Sequence, residues 1–214
     1  MLRELAQAVQ AIYADIDAAV ARFQAHSGLV CPPGCGQCCL FGRVEATVLE
    51  FLPLAFELHR QQQAEELLDD LLLASQGPIC LLYQADRIAL GEGGCGQYAG
   101  RPLVCRLFGF AGNRDRQGVA RLAVCRTMKE QGSREVPFVS HPDDGMPIFA
   151  EAGMRLTSLH PTYGTHRLPI NRALAEALTI VGMSLTLTGQ QAAAPHEDQS
   201  LSLCPDLPGQ AQNR

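Results

Sequence analysis

The stretch Cys31-Pro-Pro-Gly-Cys35-Gly-Gln-Cys38-Cys39 decides how the rest of this 214-residue chain is read. Four of the nine cysteines fall within it, in a run too rich in Pro and Gly to be a regular element. Thiols three and four residues apart converge on one point when the backbone turns tightly. Gly34 and Gly36 permit that turning. A bound metal or iron–sulfur cluster is the sharp reading of this loop. A set of ordinary cysteines is the bland one.

The chain is long enough for one substantial domain, or one domain with an appendage. Its hydrophobic content of 47% is normal for a protein that buries a real core, so the cysteines are not rescuing a chain too small to fold. A net charge of −5 argues against non-specific binding to nucleic acid. Lys129, the one lysine, lies in a polar run and is assigned no role. The stretch Met1-Leu-Arg-Glu-Leu-Ala-Gln lacks the apolar run of a secretory signal, and no segment approaches the roughly 18 apolar residues of a membrane span. The expected setting is the cytoplasm, without membrane association. In that reducing compartment cysteines serve as metal ligands or catalytic groups more often than as disulfides.

Leu2, Leu5, Val9, Ile12, Ile16, Ala19 and Phe23 alternate spacings of three and four, which predicts a helix over 2–25 ended by Gly28. Its stripe is read as packing on the protein's own body, with a short seam for a protein partner as the competing reading. Leu40–Ala46 is expected to be extended. Thr47 and Glu50 then have the form of a capping box, and Pro53 either bends the helix that follows or starts it. Helix is expected from Leu54 to Ser75, with a break at Gln61–Gln63. Ile79–Gln84 and Arg87–Leu90 are candidate strands, and Phe108–Asn113 with Gly118–Val124 a second hairpin turning at Arg114–Gln117. Arg101–Phe108 suits one helical turn, with Pro102 at its start. Cys125 begins a short polar helix closed by Gly132. Pro147–Leu159 and Pro169–Leu187 are amphipathic helices.

The fold class is therefore mainly α (α+β): helices around an irregular cysteine-rich metal core with small antiparallel hairpins. Four parts follow: the helix 1–28, a cysteine-cluster domain 29–134, a helical pair 135–188 that includes the Pro/Asp-rich connector 135–145, and a disordered tail 189–214 without apolar periodicity.

The candidate ligands are Cys31, Cys35, Cys38, Cys39, Cys80, Cys95, Cys105 and Cys125, with Cys204 alone in the tail. Thiolates are soft donors that suit Zn²⁺ and iron–sulfur clusters. Most of these cysteines sit at element boundaries or between glycines, where a metal site has backbone freedom. The spacing matches neither the ferredoxin run nor paired zinc-ribbon motifs. Neighbouring side chains tend to diverge, so Cys38 and Cys39 are expected to serve different metals, or one to ligate while the other packs nearby. Eight thiols also suffice for two four-ligand sites. Four thiolates around Zn²⁺ or a [4Fe–4S]²⁺ core leave a charge near −2, which Arg101 and Arg106, flanking Cys105, could offset; two solvated arginines are the equal alternative.

The pattern Cys31-x-x-x-Cys35-x-x-Cys38-Cys39, then Cys80, then Cys95-x-x-Tyr98-x-x-Arg101-Pro102-x-x-Cys105-Arg106-x-Phe108, resembles the YkgJ-type cysteine-cluster family. This is the CxxCxxCC zinc- or iron-chelating domain, to which the flagellin lysine methylases also look similar. The resemblance covers about residues 31–126. It implies a bound metal centre, an oxygen-sensitive [4Fe–4S] cluster in the methylase branch, with Tyr98, Arg101 and Arg106 beside the cofactor. This chain departs from the family in its first spacing, three residues rather than two, and in a longer Cys80–Cys95 interval.

The run His160-Pro-Thr-Tyr163-Gly-Thr-His166 contains no carboxylate to complete a metal site and is read as structural, as is Asp143-Asp144. Cys204 is read as a thiol without function. Three functions remain: an iron–sulfur or iron protein with a redox or catalytic role, a structural zinc module that binds a partner, and a protein-lysine methyltransferase by analogy. No glycine-rich loop after a strand marks a pocket for a methyl-donor nucleotide.

Overall fold

The computed structural model describes residues 1–31, 35–40, 44–73, 77, 79–86, 94–131 and 145–189. The first helix, α1 (Leu2–Ser27), buries Ala6, Val9, Ile12, Tyr13, Ile16, Val20 and Phe23 on one face. Gly28 ends it at φ 69, a left-handed cap that suits a residue without Cβ, and its N–H reaches the Gln24 carbonyl. The stripe is thus the protein's own packing surface, as its periodicity predicts.

Strand β1 (Glu45–Thr47) leads into α2 (Val48–Arg60). The capping box is complete. The Thr47 hydroxyl accepts the Glu50 N–H, and the Glu50 carboxylate accepts the Thr47 N–H at 2.9 Å. Because the cap sits at Thr47, the helix starts before Pro53, which lies inside it. The break at Gln61–Gln63 is present, with Gln62 at φ 60, and α3 (Ala64–Leu73) follows. Helix α4 (Leu103–Leu107) begins after Pro102, and α5 (Arg126–Gln131) after Cys125. Further along, α6 (Phe149–Thr157) and α7 (Ile170–Leu187) follow.

The core is one cluster in which α2 is central. It packs against α1 on one side and α7 on the other, and α7 also covers α3. Against the expectation that no segment suits a membrane span, helix α7 is long and apolar enough to cross one by length and composition; Leu174, Ala177, Leu178 and Val181 are packed in this core.

Among the described residues the strand pairs are shorter than expected and partly elsewhere. The second hairpin exists in shortened form: β2 (Gly112–Arg114) pairs antiparallel with β3 (Ala120–Leu122), joined through Asp115. The other pair is long-range: β1 runs antiparallel to β4 (Arg167–Pro169), with Ala46 opposite Leu168. Ile79–Gln84 is not a strand. Its one ladder contact is a bridge from Tyr83 to Cys95. The reason is a side chain. The buried Asn171 amide accepts the Leu81 N–H at 2.9 Å and donates to the Ile79 carbonyl at 2.8 Å, doing what a partner strand would have done. Arg87–Leu90, Gly132, most of the 135–145 connector and the tail from 190 lie outside the described residues.

Candidate metal centre

The cysteines reach the centre from both sides of α2 and α3. Cys31 lies three residues beyond the Gly28 cap, after the buried Leu29. Cys38 and Cys39 sit in a 3-10 turn, Gln37–Leu40, closed by the Cys39 N–H on the Gly36 carbonyl. Cys80 and Cys95 are held together by the Tyr83 bridge and its two flanking bonds, Gln84 N–H to Gly94 O and Gly96 N–H to Leu82 O. Cys105 is inside α4, and Cys125 precedes α5 with its sulfur accepting the Met128 N–H at 3.3 Å.

The two halves meet at a pair of glycines. A Cβ built on Gly94 would lie 2.9 Å from the Gly36 Cα and 3.0 Å from the Tyr83 ring. Only a residue without a side chain lets the Cys95 loop rest directly on the Cys35–Cys38 loop. Gly94→Ala is expected to cost about 1–3 kcal/mol, as inserted methyl groups do in packed sites, and to weaken metal binding by pushing the loops apart. Thermal unfolding with and without metal measures both effects. Wild-type values in both states would refute the approach as a requirement.

All eight thiols are reduced, and all but Cys31 are partly buried. They form one connected electrostatic set. Cys31 is influenced by Cys35, Cys38 and Cys125; Cys39 by Cys38, Cys95 and Cys105; and Cys105 by Cys80, Cys38 and Cys95. Cys38 neighbours both subsets. Cys39, next to it in the turn, is its strongest electrostatic influence.

The adjacent pair sets the local charge. The neighbouring Cys39 thiol lowers Cys38 to about 6 against the opposing effect of burial, with help from Arg101 and two backbone N–H groups. Cys39 keeps its proton and is raised far above the thiol range. Burial pushes Cys105 up to about 12 and Cys80 up to about 11. In metal-free protein Cys38 should therefore be the first thiol alkylated by iodoacetamide, with a rate that falls as pH drops through about 6. Cys80 and Cys105 work the other way: protonated in the fold, they add stability below the ordinary thiol value of about 8.5. They withdraw it as pH rises through about 11–12. Alkaline melts of the apo-protein test that sign, and stability that rises above pH 9 would contradict it.

Arg101, Arg106 and Tyr98 are placed very differently. Arg101 stacks its guanidinium on the exposed Tyr98 ring at 3.4 Å, and Nη1 donates to the Cys105 carbonyl at 3.3 Å. Arg106 is buried, ion-paired with Asp17 of α1, stacked on Tyr13 and bonded to the Ala99 and Arg101 carbonyls. His160 spends Nδ1 on the N–H groups of Thr162 and Tyr163, and its ring stacks on Tyr163 at 4.5 Å. Tyr163 in turn accepts the Leu49 N–H, so this turn plugs the start of α2, while His166 is exposed. Asp143, Asp144 and Cys204 lie outside the described residues.

Sequence reasoning missed three supports of the site. Gly36 and Gly94 were separate glycines with no sign of contact. Asn171 is a buried amide on an apolar helix face, which is a signal, but one that names no partner. Glu50 has a second task besides its cap: its other carboxylate oxygen accepts the Leu103 N–H at 2.8 Å and fixes the start of the Cys105 helix.

Against this geometry, residues 30–130 match the family model CxxCxxCC, described as a putative zinc- or iron-chelating domain. That segment is similar to the CxxCxxCC domain. No curated protein and no solved structure matches the chain. The CxxCxxCC segment contains all eight gathered cysteines, together with α2, α3 and α4.

The residues present fit a thiolate-bound metal by donor chemistry and by neighbourhood. Backbone N–H groups also point at the sulfurs of Cys38, Cys80 and Cys125, as they do where sulfur carries charge. They do not converge on one point: among the described residues no three His, Cys, Asp or Glu side chains form a cage for a single ion.

Proposed function

We propose that this protein holds an iron–sulfur cluster, or iron, through its clustered thiolates and serves a redox or catalytic role in the cytoplasm. The observation that carries the reading is the number and connection of the thiols. Eight sulfurs form one electrostatic neighbourhood, and the adjacent Cys38 and Cys39 influence each other most strongly. A single Zn²⁺ uses four ligands, so this set is better matched to a polynuclear centre. Cys31, Cys35, Cys38, Cys39, Cys80, Cys95, Cys105 and Cys125 are the proposed ligands. Metal binding would displace the protons held on Cys39, Cys80 and Cys105 and make affinity fall with acidity.

Protein purified without oxygen should be brown and contain iron with acid-labile sulfide. Colourless protein with stoichiometric zinc that survives air would replace this reading with a structural zinc module, in which the metal ties the two cysteine halves across α2 and α3. The methyltransferase reading rests on family analogy alone. Calorimetry with S-adenosylmethionine tests it directly.

A further inference from the structure

The two arginines beside Cys105 have similar sequence settings, and the structure separates them. Arg106 is buried and its guanidinium is committed. It pairs with Asp17 of α1, lies 4.1 Å over the Tyr13 ring, and donates to the Arg101 carbonyl at 2.8 Å and to the Ala99 carbonyl. Those partners join α1 to the turn that precedes α4. Arg101 belongs to that turn, and its side chain has other partners. Nε donates to the Tyr98 carbonyl at 2.9 Å and Nη1 to the Cys105 carbonyl, with no partner for Nη2 among the described residues. Stacking on Tyr98 holds the guanidinium plane in place at the rim of the thiols.

We infer that Arg101 is the charge-compensating residue of the metal centre, held by Tyr98 and the Cys105 carbonyl, whereas Arg106 is a pin of the fold. The inference rests on the metal reading above. A thiolate-rich centre carries excess negative charge, and one guanidinium with unspent N–H donors at its edge lowers the cost of gathering that charge. The same positive field acts on the sulfurs of Cys38 and Cys105, which come from the two halves of the chain. Arg106 acts on metal binding only through the turn it supports.

The test uses the full chain, purified anaerobically, as wild type and as Arg101→Gln, Arg101→Lys and Arg106→Gln. Metal affinity is read by competition with a chromophoric chelator, and the stability of the metal-free protein by thermal melting. Arg101→Gln should weaken binding by about 10- to 100-fold, the usual size for groups just outside the ligands. Its metal-free melting temperature should stay close to wild type. Arg101→Lys keeps the charge and should recover most of the affinity, which a purely structural role would not predict. Arg106→Gln removes the buried half of a pair whose Asp17 side is half exposed, together with its bonds to the Ala99 and Arg101 carbonyls, and should lower the metal-free melting temperature by roughly 5 °C. Wild-type affinity in Arg101→Gln, no recovery in Arg101→Lys, or a metal-free melt for Arg101→Gln as low as that of Arg106→Gln would each overturn the inference. Wild-type protein that takes up neither zinc nor iron would overturn the metal reading and this inference together.

Discussion

The variant Cys105→Ser is expected to leave anaerobic purification with its metal content at background. Cys105 is the thiol most firmly built into the fold. It lies in α4, with its N–H on the Pro102 carbonyl, its own carbonyl bonded to Arg101, and the start of the helix clamped by Glu50. It neighbours Cys38, Cys80 and Cys95, so losing it removes a donor shared by both halves of the chain. A thiolate-bound zinc contributes about 10–16 kcal/mol in small peptides, and a serine hydroxyl is a poor substitute for a soft donor. Chelator-resistant metal and the melt of the loaded protein should fall together. Full metal retention would remove Cys105 from the ligand set.

The second large effect concerns stability, independent of metal. Glu50 is 3% exposed, yet its carboxylate is satisfied by the Thr47 N–H and hydroxyl on one oxygen and the Leu103 N–H on the other. Its backbone carbonyl also accepts the Tyr13 hydroxyl at 3.0 Å. This one residue therefore ties together the starts of α2 and α4 and the middle of α1. Glu50→Leu preserves bulk but leaves the Thr47 and Leu103 N–H groups buried without acceptors, each worth roughly 1–3 kcal/mol. The expected loss is about 3–5 kcal/mol, read as a lower urea midpoint at unchanged slope. A loss below about 1 kcal/mol would mean that water or a shifted side chain replaces the carboxylate.

The sequence made some of this legible and hid the rest for physical reasons. α1 could be read because its stripe repeats at helical spacing over 26 residues. The capping box and the Gln61–Gln63 break are local chemistry, complete within a few residues. The ligand candidates stood out because thiols collected at turns are unusual in a helical protein. What the sequence concealed lies in long-range pairs. Ala46 faces Leu168, Asn171 replaces a strand for Leu81, and Gly36 meets Gly94. None of these has a periodic or nearby signal.

The central claim is that sulfurs from both sides of α2 and α3 hold one polynuclear centre. X-ray absorption at the metal edge of the anaerobically purified full chain tests it most directly. The account predicts a first shell made of sulfur and a scattering path from a second metal close by. A shell dominated by nitrogen and oxygen, or one metal with four sulfurs and no metal neighbour, would contradict it.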